Sequence, residues 1–203
     1  IDPVSGTSAV TVPAPPPSST DGSRCIACHT VSRDGRWLYG QRSGDGAAMS
    51  FDLTTDLSGD PAPTRFAPVG AQITIGSFDP TGTRLIGHNG GWAGALLVID
   101  ATSGTSLPAD GLPTSGASFP SWSPDGATVA YSGNVVVDGS SFPVDGDLFV
   151  MPRTSDAPLA FATARVRDVW WQRTEVLRDG RLLRPRRATD PDWQFARTPE
   201  ARS

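Results

Sequence analysis

Short apolar segments alternate with glycine-containing turns along most of the chain, and this alternation repeats. Three segments share one pattern, a polar turn that ends in glycine and is followed by an apolar run: Ser32–Tyr39, Asp79–Ile86 and Ser123–Ala130. The turn glycines, Gly35, Gly82 and Gly126, lie 47 and then 44 residues apart. Glycine tolerates the positive φ that a tight turn needs, so each unit predicts a β-hairpin.

A second pattern recurs within each unit, a glycine followed by an apolar strand that ends at an aspartate or a proline. Its copies are Gly46–Asp52, Gly94–Asp100 and Gly146–Pro152. A period near 45 residues with about four strands in each unit is typical of β-propeller blades. The pattern therefore predicts an all-β fold, a partial β-propeller of three to four antiparallel four-stranded blades. The alternative is a β-sandwich whose hairpins have similar sequences.

One turn carries a more specific signal. The segment Ser121–Gly126, with the sequence SWSPDG, resembles the W-S-P-D-G core of TolB-like propeller repeats, and Phe78–Gly82 and Val31–Gly35 are looser copies. The resemblance covers about residues 25–160. It implies four-stranded antiparallel blades in which the strand before each turn is innermost. It also implies a recognition platform, because TolB-like propellers commonly serve as one.

Composition divides the chain into three parts. Residues 1–20 are rich in Pro, Ser and Thr and predict an extended tether, whereas residues 21–160 hold the predicted blades. Residues 161–203 contain ten of the 17 arginines and no clear repeat, so they predict a degenerate fourth blade or an irregular tail. Three or four blades are at or below the number that closes a ring. We therefore expect either an open ring covered by a partner or further blades from another chain.

The two cysteines of the chain lie in one motif, CIACH, at residues 25–29. This is the pattern of c-type haem attachment, in which two thiols form thioethers to the haem and the adjacent imidazole binds the iron. It predicts one covalent haem c held by Cys25 and Cys28, with His29 as an iron ligand. A disulfide or redox pair, a reduced structural pair and a Cys₂His₂ zinc site that includes His88 are the alternatives. The βαβ pattern expected around a redox pair and the spacing typical of zinc sites are both missing.

The second iron ligand has fewer candidates. His88 is the only other histidine, and it is expected in the loop between the second and third strands of the second blade, on the same face as the haem motif. It is the predicted second ligand, and an exposed loop histidine without a ligand role is the alternative. Met49 and Met151 are rivals, because His/Met coordination occurs in cytochromes c, yet both fall at core positions of the repeat. A vacant position or a ligand from a partner stays open.

Taken together, these features predict a monohaem c-type cytochrome that transfers electrons on a propeller-like scaffold. We expect it to act as a subunit of a larger redox assembly, beside a redox partner protein. The alternative is a TolB-like propeller without haem that acts as a protein-binding module. No catalytic residues are predicted, and a haem peroxidase or reductase is a lesser alternative. Calcium binding by Asp138, Asp145 and Asp147 is weakly indicated, because the spacing of an EF-hand loop is missing.

Charge and export complete the expectations. The formal net charge of −4 argues against a nucleic-acid partner, and no apolar run approaches the length of a membrane span. Attachment of haem c is normally completed outside the cytoplasm, so the protein is expected to be exported to the periplasm or beyond the cell. Residues 1–20 would then tether it to a membrane or a larger assembly. The oligomeric state is left open.

Overall fold

The computed structural model describes residues 11–42, 46–66, 73–138 and 143–162, with three short strand segments further along the chain. The chain divides into two compact units, residues 1–165 and 166–203. The described residues form strands and turns without a helix. Accordingly, no described segment has the helical length and hydropathy that crossing a bilayer requires.

The strands of the first unit form three sheets, here called blades 1 to 3. Blade 1 contains β1 (Ile26–Val31), β2 (Trp37–Arg42) and β3 (Ala48–Asp52) in that spatial order. Blade 2 contains β4 (Gly76–Phe78), β5 (Arg84–His88), β6 (Leu96–Asp100) and β7 (Ser106–Leu107), also in sequence order. Successive strands are antiparallel in both blades.

Blade 3 is built on the same plan with one addition. Its strands are β8 (Ala109–Asp110), β9 (Ser118–Trp122), β10 (Thr128–Val137), β11 (Pro143–Asp156) and β12 (Leu159–Phe161). The spatial order is β9, β10, β11, β12, β8, and β8 runs parallel to β12 at the outer edge. The remaining strands are β13 (Arg165–Val166), β14 (Leu182–Leu183) and β15 (Phe195–Ala196), of which β14 and β15 pair with each other.

The prediction of an all-β fold with antiparallel blades is confirmed. Blades 2 and 3 each contain four consecutive antiparallel strands, and blade 1 contains three among the described residues. The predicted innermost strands are β1, β4 and β9, and they pack side by side, with β4 between the other two. The fourth blade or tail predicted for residues 161–203 lies almost wholly outside the described residues.

Side chains close the turns that follow these inner strands. In blade 3 the Ser123 hydroxyl donates to the Asp125 carboxylate at 2.6 Å and accepts the backbone N–H of Thr128 at 3.0 Å. Ser32 and Asp34 repeat the hydroxyl–carboxylate bond in blade 1, at 2.5 Å. The hydroxyl bonds hold the pKa of both aspartates below the usual range. The S-x-D-G pattern therefore specifies its turn through bonds between neighbours in sequence.

Blade 2 makes the same turn with a different residue. Asp79 takes the place of the serine, and its carboxylate accepts the backbone N–H groups of Thr83 and Arg84 at 2.9 and 3.1 Å. The three turn glycines have φ values of 73°, 69° and 68° for Gly35, Gly82 and Gly126. All three lie in the left-handed region, which confirms the predicted turn positions and explains why glycine recurs there.

Apolar clusters fill the seams between the blades. Tyr39 and Ala48 of blade 1 pack with Phe78, Leu85 and Ile99 of blade 2. A larger cluster joins blades 2 and 3 through Ile86, Leu96, Val98, Trp122, Val129, Tyr131, Met151, Leu159 and Phe161. Met49 and Phe51 belong to a third cluster, on blade 1. Both methionines are fully buried, as the repeat predicted.

The N-terminal segment lies against blade 1. Val12 is buried in the cluster that contains Phe51, and the N–H of Ala62 donates to the carbonyl of Ala14 at 2.8 Å. The described part of the segment contains bends and a turn and contacts the blade. Residues 1–10 of the predicted tether lie outside the described residues.

Candidate functional site

The cysteine motif lies at the start of the innermost strand of blade 1. Cys25 precedes β1, and Cys28 and His29 lie within it. Where β1 pairs with β2, Cys28 and His29 together oppose the single residue Gly40, which makes a β-bulge, and Cys28 has a φ of 48°. In a regular strand neighbouring side chains point to opposite faces. The bulge removes that constraint from the thiol and the imidazole.

Blade 3 contains the same bulge. Its register shifts where Phe119 and Pro120 oppose Tyr131, and Phe119 has a φ of 50°. Phe119 and Cys28 occupy equivalent places, each seven residues before its turn glycine. The bulge therefore occurs in both blade 1 and blade 3, and the cysteine motif lies on it in blade 1. The sequence pattern does not indicate this bulge.

The reactive groups of the motif differ in their surroundings. Both thiols are free, with Cys25 exposed and Cys28 half-buried, and the His29 side chain is exposed. Burial raises the pKa of the Cys28 thiol. Tyr39 lies close enough that its own pKa is raised by burial first and by the charge of Cys28 second. The Tyr39 hydroxyl donates to the carbonyl of Ile73 at 2.7 Å, so it is held in the seam between blades 1 and 2.

These residues fit the attachment chemistry of haem c. Two free thiols lie three positions apart, and neither belongs to a disulfide. The adjacent imidazole is exposed and, within the described part of the chain, no hydrogen bond or ion pair occupies it. No group of three or more His, Cys, Asp or Glu side chains in the described ranges is arranged to hold a metal ion. Neither the zinc alternative nor the calcium alternative is therefore supported by these residues.

His88 lies elsewhere than the sequence predicted. It is the last residue of β5, pairs with Leu96 of β6 and is completely buried, rather than standing in an exposed loop. Its Nε2 lies 3.2 Å from the hydroxyl of Ser118 in blade 3. The rings of Trp92 and Phe119 lie 6.3 Å from the imidazole, measured between centroids, and stack on each other at 5.8 Å. His88 therefore belongs to the seam between blades 2 and 3, and its role as an iron ligand stays a prediction.

The protonation of His88 is set by this seam. Burial lowers the pKa of His88, and the backbone of Gly91 offsets only part of that effect. The Nδ1 atom is buried and makes no hydrogen bond of regular geometry within the described residues. The neutral imidazole is therefore the form that fits the folded protein, because a buried charge without a partner is costly.

Mild acid is expected to destabilise the folded chain through His88. The unfolded chain takes up a proton near pH ~6.5, whereas the folded chain does not, so stability is complete above that pH and falls as the pH decreases towards the lower folded pKa. The loss is about 1.4 kcal/mol for each pH unit within that window. Urea denaturation at several pH values between 7 and 5 measures it. The His88→Asn variant should lose this slope.

The aspartates with shifted pKa values fall outside that window. Aspartates such as Asp34 and Asp125 have lowered pKa values and lose their protons at more acidic pH than His88. A pH slope in His88→Asn as steep as that of the unchanged chain would contradict the assignment, because it would have to come from another group. The experiment therefore isolates the seam histidine.

A cleft opens where the inner strands of the three blades end. It has a volume of about 330 Å³, and its lining includes Val31, Arg33, Phe78, Asp79, Trp122 and Pro124. The Arg33 guanidinium donates to the carbonyl of Pro124 at 2.7 Å, which joins the turn of blade 1 to the turn of blade 3. Arg33 and Pro124 are 91 positions apart in the sequence. The cleft brings a cation, a carboxylate and aromatic rings together in one concave surface.

Comparison with known proteins identifies the fold. No family model matches the chain, and no curated protein does. A predicted 6-phosphogluconolactonase from Bacteroides uniformis is 14% identical with a TM-score of 0.50, over 84% of this chain and 51% of its own. A eukaryotic initiation factor is 13% identical with a TM-score of 0.49, over 75% of this chain and 34% of its own.

A predicted TolB from Agrobacterium tumefaciens is 18% identical with a TM-score of 0.40, over 63% of this chain and 42% of its own. The first match supports a propeller-like fold, and at this level of identity the matches show the fold alone. The chain spans between about a third and a half of the length of these proteins.

Proposed function

We propose that this chain carries one covalently attached haem c and serves as an electron-transfer unit on a propeller-like scaffold. One observation carries the proposal. The two free thiols of Cys25 and Cys28 and the exposed imidazole of His29 lie together at the start of the innermost strand of blade 1. These are the three groups that covalent haem attachment requires.

Each residue has a defined part in this function. The thiols of Cys25 and Cys28 would each add across a vinyl double bond, so that a sulfur–carbon bond forms and the thiol proton moves to the other vinyl carbon. No external oxidant is needed for that addition. His29 would bind the iron. When bound, the haem supplies one-electron redox chemistry, and the protein sets its potential through ligation and burial.

The setting of such a protein follows from the same proposal. Haem c attachment places the chain outside the cytoplasm, in the periplasm or at the cell surface. A redox partner would have to approach blade 1 on the side where Cys25 and His29 are exposed. Electron-transfer encounters bury little surface, so one side of a blade is enough for docking. We propose a larger redox assembly as the context, with the chain as one of its subunits.

The decisive experiment measures haem directly. The chain is produced in a host that attaches haem c, and the purified protein is examined by intact mass and by its pyridine haemochrome spectrum. We expect the mass of the polypeptide plus one haem, with colour that survives extraction by acid and acetone. A colourless protein with the bare polypeptide mass would overturn the proposal.

A propeller-like module that binds a protein partner without haem is the second candidate. The cleft favours it, because Phe78, Trp122 and the Arg33 guanidinium converge there from three blades. Aromatic and arginine side chains are enriched at protein interfaces. The fold supports this candidate without any cofactor. A colourless protein that remains folded in the haem experiment would favour it over the first.

A further inference from the structure

We infer that this chain supplies only one ligand to the iron, His29. The sixth position of the iron then binds a small exogenous molecule such as carbon monoxide or imidazole. This open position depends on the haem attachment proposed above. Side chains that ligate haem iron in proteins are those of His, Met, Cys and Tyr. The chain contains two residues of each kind. All eight lie in the described ranges, so every candidate has a known position.

The two methionines are held inside the blades. Met49 is fully buried in the apolar cluster of blade 1, together with Phe51. Met151 is fully buried in the cluster that joins blades 2 and 3. Releasing either thioether to reach an iron would open a cavity in the core and destabilise the fold.

The two tyrosines are likewise engaged. Tyr39 is 1% exposed, and its hydroxyl donates to the carbonyl of Ile73. Burial raises the pKa of Tyr39, which opposes the phenolate form that would bind ferric iron. Tyr131 is 5% exposed and stacks on Phe149 with a centroid separation of 5.3 Å. Neither phenol is available as a ligand.

His88 is the remaining imidazole, and the fold holds it away from solvent. It is 0% exposed, its Nε2 meets the Ser118 hydroxyl, and Trp92 and Phe119 flank its ring. These contacts are with blade 3 and the loop of blade 2, whereas β1, which carries Cys28, packs against β4. Binding iron would break the Ser118 bond and open the seam. We therefore assign His88 to the seam and leave the sixth position without a ligand from this chain.

The chemistry of the open position follows from this inventory. The two cysteines are consumed by the thioethers, and all basic residues of the chain are arginines, which have no lone pair to offer a metal. An iron with one imidazole ligand is high-spin and accepts small molecules that carry a lone pair. The proposed electron-transfer unit would therefore also be a ligand-binding haem protein.

The test uses the full chain with its haem attached. The pyridine haemochrome and intact mass first establish one covalent haem. Absorption spectra of the oxidised and reduced protein are then recorded, followed by titration with carbon monoxide and with imidazole. We expect a high-spin spectrum in the absence of added ligand and binding of one carbon monoxide per haem without denaturant. The His88→Gln variant is expected to give the same spectra and the same titration curves.

Two results would overturn this assignment, and they are distinct. A low-spin, six-coordinate spectrum in the unchanged holoprotein refutes the open position while leaving haem attachment intact. If His88→Gln converts that spectrum to high-spin, His88 is the ligand, and if Met49→Leu does so, Met49 is. A chain without covalent haem overturns the proposed function and the open position with it. The spectrum of the unchanged protein decides the matter even where a variant fails to fold.

Discussion

Replacing Cys25 and Cys28 together by alanine is expected to abolish covalent haem attachment while leaving the blades folded. These are the only cysteines in the chain, so no other thiol can form a thioether. Cys25 is exposed and precedes β1, and Cys28 is only half-buried, so little packing is lost and the free energy of unfolding should fall by about 1 kcal/mol or less. Intact mass and haem staining after denaturing electrophoresis measure attachment, and urea denaturation measures stability.

The single variants refine this prediction. Cys25→Ala and Cys28→Ala should each leave at most one thioether, with a shifted α band in the pyridine haemochrome. Val31→Ala is the matched control, because Val31 is an exposed residue of the same strand outside the motif, and it should retain a full complement of haem. Haem that survives denaturation in the double variant would contradict attachment through the motif.

The parts of the fold that the sequence predicts best are those fixed by neighbouring residues. Each blade turn is closed by bonds within five positions, such as Ser123 to Asp125 and Ser123 to Thr128. Gly126 supplies the positive φ at the same place. The turns therefore recur in the sequence as visible patterns, and their spacing gives the blade period. The cysteine motif is equally local, which explains why it stands out without a structure.

The surroundings of His88 depend on contacts that no local pattern reveals. Ser118, its hydrogen-bond partner, is 30 positions away and belongs to the next blade. The glycines that follow His88 predict a loop that includes His88. The loop instead begins one residue later, at Asn89. His88, the last residue of its strand, is buried beside the rings of Trp92 and Phe119. This arrangement forms only when the two blades pack together. The sequence therefore does not predict that His88 is buried.

For the same reason, the cleft cannot be predicted from the sequence. Its lining comes from three turns that the sequence identifies one by one, yet their convergence depends on how the inner strands pack. The bond from Arg33 to the Pro124 carbonyl joins turns 91 positions apart. Alignment of the repeat places Val31, Phe78 and Trp122 at equivalent positions. That equivalence is the feature of the sequence that indicates a shared lining for the cleft. Equivalent inner-strand residues of adjacent blades face a shared space, because the blades pack around those strands.

Gly94→Ala is expected to cost about 3 kcal/mol or more of stability, the largest effect of any single substitution proposed for the fold. A Cβ at this position would overlap the carbonyl oxygen of Asn89, which is a backbone atom and cannot turn aside as a side chain would. Asn89 is itself fixed, because its N–H donates to the carbonyl of Ala95 at 3.0 Å. The carbonyl of Gly94 accepts the N–H of Ala117 at 2.9 Å, so the strain would spread into the junction between blades 2 and 3.

Gly91→Ala in the same loop provides the control for that prediction. Gly91 has a φ of 83°, and nothing lies within 4 Å of a Cβ built there, so alanine would pay only for the left-handed backbone, about 1–2 kcal/mol. Urea denaturation of the two variants at neutral pH compares these costs, and the near-ultraviolet circular dichroism of the nearby Trp92 reports on the seam. Because the overlap with Asn89 is specific to Gly94, equal midpoints for the two variants would show that the loop relaxes freely and that the blade junction does not depend on it.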